Sequence, residues 1–371
     1  MKKAVVSVIN DLVTDQRVHK SCLALQKSGY EVVLIGRRLR SSIPMEEREY
    51  KCIRMRLLFE RGPFFYAEYN LRLFLKLLFI RATLFFSNDL DTLLANYSAA
   101  RIRGKKLIYD SHEYFTETPE LVHRKSVQRV WKTIEQLIVP RLGAMITVND
   151  SIAELFRWQY GLQVQVVRNI PPQFFPQRSS TRNELNIPEG KKILIMQGAG
   201  INVQRGAEEL VEAMQYLPDH YLLLIGGGDV WEQLRKQAVR WGVDDRIQFL
   251  PRMPYQQMMD YTRHADLGLS LDKPTNMNYR LSLPNKLFDY IQAGIPVLTS
   301  KLPELERIVV KYEIGDFITD HQPDSIANAI QRMTNNGLLK TWKENVGQAA
   351  EILTWENEEK QLLQFIELYN G

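Results

Sequence analysis

Cysteine is nearly missing: Cys22 and Cys52 are the only two in 371 residues. That excludes a disulfide-stapled scaffold and paired-cysteine zinc sites, and it points to a reducing compartment. No run of eighteen uncharged apolar residues occurs, so no segment reads as a membrane-spanning helix. The opening stretch Lys2–Ile9 has the basic start of a leader, but its apolar run is short and meets Asn10 and Asp11, so a first buried strand fits better. There is no zinc finger and no basic cluster interleaved with aromatics, and nothing points to a nucleic-acid partner. A full G-x-G-x-x-G spacing and an H-E-x-x-H pair are also absent, which removes the usual signals of dinucleotide binding and zinc hydrolysis. The net charge of +5 is mild for this length; it admits anionic partners without choosing among them. With 45% hydrophobic and 25% charged residues, the chain is an ordinary globular protein of about two domains.

Short apolar runs alternate with helical patterns, which predicts α/β architecture with parallel, doubly wound sheets. In the first half, strands are expected at Val5–Ile9, Glu31–Ile35, Thr83–Phe86, Lys106–Tyr109, Ala144–Val148 and Val164–Val167. Helices are expected at Arg17–Ser28, closed by Gly29, and at Ser151–Tyr160, capped by Ser151 and stopped by Gly161. The proline-rich Ile170–Pro176 cannot continue helix or central strand and marks a domain join. The pattern then restarts with strands at Lys192–Met196, Tyr221–Ile225, Arg246–Leu250, Leu267–Ser270 and Val297–Ser300, and a helix at Gly206–Leu217. The expected domains are 1–175, 176–355 and a terminal piece 356–371, in which Glu358–Tyr369 reads as an amphipathic helix with Asn357 as its N-cap.

The most informative segment is Ser282-Leu-Pro-Asn285-Lys286-Leu-Phe-Asp289, which continues to Gly294-Ile-Pro296-Val. It reads as a loop, a helix capped by Ser282, a turn and a buried strand. Free N–H groups at a helix start attract anions, and Lys286 adds a full charge although it opposes the helix dipole there. Asp289 lies one turn on, placed to meet a hydroxyl pair such as a ribose. The plain alternative is an ordinary helix start in a βαβ unit.

Two further loops follow strands of the second half, where open α/β sheets bind ligands. In Gln197-Gly198-Ala-Gly200-Ile-Asn202-Val-Gln-Arg205-Gly206, glycines permit close approach to phosphate and Arg205 offers a planar fork for a diphosphate. Gly226-Gly227-Gly228-Asp229 is the second; a glycine run is a weak signal that also suits a tight turn. In the first half, Asp11, Asp15 and Arg17 surround the start of the first helix, where Asp15 suits capping. Asp110-Ser-His112-Glu113 directly follows a buried strand, with His112 able to serve as acid, base or donor. Asp89 and Asp91 form a D-x-D, read as cleft lining or a helix cap. Phe64–Phe86 mixes Phe, Leu and Tyr with Arg72, Lys76 and Arg81; it suits a core-packing helix or a face on a membrane surface.

The Ser282–Val297 string resembles the donor-binding segment of glycosyltransferase family 4 and its relatives, enzymes of the GT-B fold. Arg205-Gly206, the Gly226–Asp229 loop, the Asp110–Glu113 run, the Asp15-Gln-Arg17-Val start and Arg168-Asn169 all match family positions. The resemblance implies two Rossmann-like doubly wound domains facing a central cleft, with the last helix packing back on the N-terminal domain. It implies a retaining, metal-independent transfer of a sugar from a nucleotide-diphosphate sugar to an acceptor hydroxyl, with no cofactor. By the match, Gly198, Gly200, Asn202, Arg205, Gly227, Gly228, Asn285, Lys286 and Asp289 bind the donor. Asp11, Asp15, Arg17, Asp110 and His112 serve the acceptor side, and His112, Glu113, Arg205 and Lys286 serve the reaction. His112 and Glu113 would position the acceptor or stabilise the cationic sugar. Alanine at Arg205 or Lys286 is expected to cut turnover with little effect on folding. The chain departs from the family at Leu281, where a second acid is common. Surface polysaccharide synthesis at the inner face of a membrane, with a carbohydrate or lipid-linked acceptor, is the implied setting. A nucleotide-sugar epimerase of the same fold and a non-catalytic scaffold are the alternatives.

Overall fold

The computed structural model describes residues 2–370, apart from 14, 43, 175–179, 199, 336 and the side chain of 370. It divides into two compact units: unit 1, residues 1–169 with 358–371, and unit 2, Ile170–Asn357. The sequence placed the divisions at 175/176 and 355/356; contacts place them at 169/170 and 357/358.

Unit 1 is built on a seven-stranded sheet in the order β3-β2-β1-β4-β5-β6-β7. The strands are β1 Lys2–Asp11, β2 Tyr30–Arg38, β3 Lys51–Arg56, β4 Leu84–Asn88, β5 Lys106–Ser111, β6 Met145–Thr147 and β7 Val164–Val166. Every pairing is parallel, with Val5 opposite Val33 on one side and Phe85 on the other. Central strands covered on both faces need side chains that are apolar in both directions, and β4 is buried along its whole length. That is why these strands are legible as unbroken apolar runs. Strand β3 was not foreseen: as an edge strand it alternates cations with apolar residues in Lys-Cys-Ile-Arg-Met-Arg and is mostly half-exposed. Helix α1 (Gln16–Lys27) is capped by Asp15, whose carboxylate accepts from the Val18 amide at 3.1 Å. Helix α2 (Gly62–Phe79) and helix α3 (Leu90–Arg103) follow. The Asp150–Tyr160 helix is capped by Asn149 instead of Ser151. The extended backbone of Asn149 (φ −157°, ψ 168°) brings its side-chain oxygen to the Ile152 amide, while Ser151 already lies inside the first turn.

Unit 2 carries a six-stranded parallel sheet in the order β10-β9-β8-β11-β12-β13. Its strands are β8 Lys192–Gly198, β9 His220–Gly226, β10 Ile247–Pro251, β11 Leu267–Ser270, β12 Val297–Thr299 and β13 Gly315–Phe317. In both sheets the order reverses beside the first strand of the unit, β1 or β8, and loops after strands flanking such a reversal splay apart to leave room for a ligand. The helix expected at Gly206–Leu217 is α-helical over Ala207–Ala213 and tightens into a 3-10 turn at Met214–Tyr216. Ser282 does not cap the helix that follows it. The helix runs Asn285–Gln292 with Pro284 at its N-cap, and the Ser282 hydroxyl instead donates to the carbonyl of Tyr279 at the end of a preceding one-turn helix. Asn357 likewise lies inside the helix Trp355–Asn370, its amide donating to the Ile352 carbonyl at 2.8 Å. Beyond the division, that helix ties into unit 1: Lys27 pairs with Glu359 at 2.6 Å, and the Tyr369 hydroxyl donates to the Leu107 carbonyl at 3.1 Å.

Gly206 holds φ +78° at the start of its helix, and a Cβ there would stand 2.3 Å from the Leu271 carbonyl oxygen. Gly206→Ala is therefore expected to lower unfolding stability by ~2 kcal/mol, from left-handed strain and displacement of the Leu271 backbone. A urea melt reads this directly, and an unchanged midpoint would show that the backbone yields.

Candidate functional site

In unit 1 the carboxyl ends of β4 and β5 bring Asn88, Asp89, Asp110 and His112 together, with Arg17 of α1 beside them. Asp110 is 1% exposed and receives a forked contact from Arg17, Nε to Oδ2 at 3.1 Å and Nη2 to Oδ1 at 2.7 Å. Arg17 also donates Nη1–H to the Val167 carbonyl at 2.8 Å, which ties α1 to the ends of β5 and β7. Burial alone would raise the Asp110 carboxyl, but the charges of Arg17 and His112 outweigh it and hold the group well below the carboxylate range. His112 lies with Nδ1 3.1 Å from Asp89 and Nε2 3.4 Å from Asp110, and Nε2 also reaches Asn88 Oδ1 at 3.2 Å. Burial lowers its pKa, yet Asp89 and then Asp110 raise it more, to about 10. His112 is therefore an imidazolium at neutral pH. It donates hydrogen bonds and is not a free base, and its ring charge cannot stabilise a cationic sugar.

Asp89 heads α3 with φ +59° and accepts the His112 amide at 2.9 Å. Asp91 sits in the first turn, 5% exposed, its carboxyl pushed well up by burial and by Asp89. The D-x-D thus supplies a helix start and a histidine partner. Asp15 caps α1, as noted above, and Asp11 pairs with Arg54 at 2.8 Å and with the Ser42 hydroxyl. Glu113 is half-buried and gathers the next turn through its carbonyl, which accepts from Ser111 Oγ at 2.8 Å.

In unit 2 the loops after β8 and β11 meet the start of the Asn285–Gln292 helix, and the loop after β9 lies on the loop after β8. Arg205 and Lys286 converge on Asp272, a residue with no exposed surface. Arg205 Nη1 lies 2.7 Å from Asp272 Oδ1, Lys286 Nζ 3.8 Å from Oδ2, and Ser270 Oγ donates to Oδ2 at 3.1 Å. The Arg205 guanidinium also stacks 4.0 Å over the Tyr279 ring, and its Nε–H is buried without a hydrogen-bond partner among the described residues. Two positive charges thus share one negative. Burial pulls the Lys286 ammonium below its ordinary value; Asp272 pushes it back up and Arg205 presses it down. Asp289, one turn along, accepts from Gln197 Nε2 at 3.1 Å and from the Tyr255 hydroxyl at 3.2 Å.

The glycines do something the sequence did not disclose. A Cβ at Gly226 would stand 1.9 Å from the Gly198 carbonyl oxygen, and one at Gly228 1.9 Å from that of Ile201. The two loops are packed backbone on backbone, clamped by the Ile201 amide to the Gly227 carbonyl at 2.8 Å and by Val203 N–H to Asp229 at 3.0 Å. Asn202 returns the contact, accepting from the Asp229 amide at 3.3 Å, and Gly200 lies against it. Asn285 is exposed. Leu281 is buried at 9% exposure and closes the short helix Met277–Arg280. Asp272 and Tyr279 escaped the sequence reading; the one available signal was a carboxylate two residues past a predicted strand.

Both units match solved GT-B structures. Sucrose-phosphate synthase from Thermosynechococcus elongatus superposes with a TM-score of 0.80 at 19% identity, covering 100% of this chain and 98% of that one. The Anabaena protein HepE in complex with UDP-glucose gives 0.73 at 15% identity, covering 99% and 100%. Two family models fit end to end: Glycosyltransferase Family 4 over residues 16–172 and glycosyl transferases group 1 over 177–350. The chain belongs to this family-4-like group of GT-B glycosyltransferases. Among curated relatives, a D-inositol 3-phosphate glycosyltransferase of Xylanimonas cellulosilytica is 22% identical over 218 residues, covering 53% of this chain and 49% of its own length. The chain thus spans about half the length of such relatives.

Two outcomes test these geometries. The folded pKa of His112 lies above its unfolded value of 6.5, so its stabilising contribution is complete below 6.5 and is lost as pH rises towards about 10. The stability difference between the protein and His112→Gln should shrink across that window in urea melts; a constant difference would refute the assignment. In unit 2, Asp272→Asn removes the carboxylate that pushes the Lys286 pKa back up, so the Lys286 ammonium should lose its proton at lower pH in this variant, as read by NMR titration of its Nζ; an unchanged titration would refute the coupling.

Proposed function

We propose that this protein is a retaining, metal-independent glycosyltransferase that moves a sugar from a nucleotide-diphosphate sugar to an acceptor hydroxyl. Unit 2 holds the donor and unit 1 serves the acceptor. The observation that carries the reading is the pair of cations, Arg205 and Lys286, gathered on buried Asp272 beside a helix N-terminus. Such a site attracts a diphosphate through full charges and free N–H groups together. The complexes of HepE with UDP and with UDP-glucose support a uridine nucleotide as the donor's base. Asp289, steadied by Gln197 and Tyr255, takes the ribose hydroxyls.

In the reaction the bond from the anomeric carbon to the phosphate oxygen breaks, and a bond from that carbon to the acceptor oxygen forms on the same face. The acceptor proton passes to the departing phosphate, so no protein base is needed, in keeping with a charged His112. Arg205, Lys286 and the helix N–H groups stabilise the charge that gathers on the leaving group. His112 and Glu113 hold the acceptor by hydrogen bonds. The setting is surface polysaccharide or glycoconjugate assembly, with a carbohydrate or lipid-linked acceptor met at the cytoplasmic face of a membrane.

The pairing with Asp272 changes how the site should be probed. Arg205→Ala would leave a buried carboxylate short of its closest partner and would destabilise the fold as well. Arg205→Lys keeps a charge but loses the fork. UDP at about a hundred times its dissociation constant should raise stability by ~2.7 kcal/mol in a thermal shift. Arg205→Lys and Lys286→Ala should each lower kcat/KM by roughly ten- to a hundredfold, the value of a charge-assisted hydrogen bond. Full activity in both variants would refute the donor site, and conversion of donor without acceptor would indicate epimerisation instead.

A further inference from the structure

The amino ends of the unit 1 strands lie opposite the candidate site. Strand β5 runs from Lys106 to Ser111, which sets its two ends ~17 Å apart. At the amino end a cavity of about 240 Å³ opens between the last turn of α3, the turn Val139–Arg141 with the residues just after it, and the last turn of the helix Trp355–Asn370. Its lining lies wholly within unit 1. Arg101, Lys105 and Arg141 bring three positive charges to it, Tyr97 and Tyr369 bring aromatic rings, and no carboxylate lines it among the described residues. A concavity that collects one sign of charge focuses the field on whatever enters it.

Cations near helix ends often serve the last carbonyls, but little of that duty falls on these three. The Ala100 carbonyl at the end of α3 already accepts the backbone amides of Gly104 and Lys105. Arg141 gives one N–H to the Leu137 carbonyl. The side chains of Arg101 and Lys105 and the Tyr97 hydroxyl have no hydrogen-bond or ion-pair partner among the described residues. Tyr369 is fixed in place: its hydroxyl donates to the Leu107 carbonyl, and Lys106 Nζ donates to the Tyr369 carbonyl at 2.7 Å. Gly143 leaves the Tyr369 ring open, since a Cβ there would lie 3.4 Å from it. From this cavity, its unneutralised cations and its two tyrosines, we infer a second ligand site at the amino end of the unit 1 sheet, for a small soluble organic phosphate. Arg101 and Arg141 offer planar forks and Lys105 an ammonium to the phosphate oxygens, and the tyrosines pack on the organic part. The volume is small for a whole nucleotide sugar, which sets this site apart from the donor site of unit 2.

Ligand binding here needs no sugar transfer, so this site stands or falls apart from the proposed function. The test is calorimetric titration of the full chain with phenyl phosphate, beside phenol. The expected result is binding of the phosphate that weakens with salt, and none of phenol. Arg101→Gln with Lys105→Gln should weaken binding by about tenfold or more. Gly143→Leu should weaken it as well by filling the cavity without removing a charge; Gly143 is exposed and outside the left-handed region, so it can carry a side chain. Thermal melts of both variants should match the parent. Lys286→Ala, in unit 2, should leave the binding unchanged. Binding lost in Lys286→Ala and kept in the Arg101 and Lys105 variant would give the phosphate to unit 2 and overturn the inference. So would no binding by the folded parent, or undiminished binding by both cavity variants. Capture of vesicles containing phosphatidic acid, with no binding of the soluble phosphate, would give the cations to a lipid headgroup instead.

Discussion

A carboxylate taken out of water must meet a cation or hold a proton, and each unit buries a carboxylate paired with cations where its parallel strands end. In unit 1 Arg17 grips Asp110 with two nitrogens while reaching the Val167 carbonyl with a third. In unit 2 Arg205 and Lys286 share Asp272. Breaking a buried pair by removing one partner costs about 3–5 kcal/mol, so these contacts fix the loops of the candidate site. They also give the candidate site residues a structural role. Arg205 and Lys286, the cations proposed to meet a diphosphate, are held together by one buried carboxylate.

The two pairs have different consequences. Arg17 spends its whole fork inside unit 1 and leaves His112 as the cation nearest the strand ends, charged because Asp89 and Asp110 surround it. In unit 2 two positive charges share one negative, and the Nε–H of Arg205 remains uncommitted among the described residues. The surplus positive charge is what an anionic ligand would neutralise. Unit 1 therefore offers a donor of hydrogen bonds, and unit 2 a well for negative charge.

Central strands such as β1, β4 and β8 were legible because a strand covered on both faces must be apolar in both directions. Edge strand β3 was not, because one side faces water and its pattern is mixed. Arg205, Lys286 and Asp289 were legible as local strings around predicted turns. Asp272 was not, since its meaning depends on a partner 67 residues away. The Ser282 and Ser151 caps failed for a smaller reason: capping depends on where the extended backbone gives way to helix, and that falls two residues away in each case, at Pro284 and Asn149.

What the sequence by itself determined is the alternation of strand and helix, the two sheets, and the loops in which polar residues follow buried strands. These depend on period and local propensity, which are written in neighbouring residues. Only the tertiary structure decided which charges neutralise one another, that His112 holds its proton, and that Gly226 and Gly228 are glycine so that one loop can lie on another. It alone gathered Arg101, Lys105 and Arg141 around one cavity. The physical reason is that charge burial, protonation and exposure are set by distances across the fold, and residues far apart in the chain fix those distances.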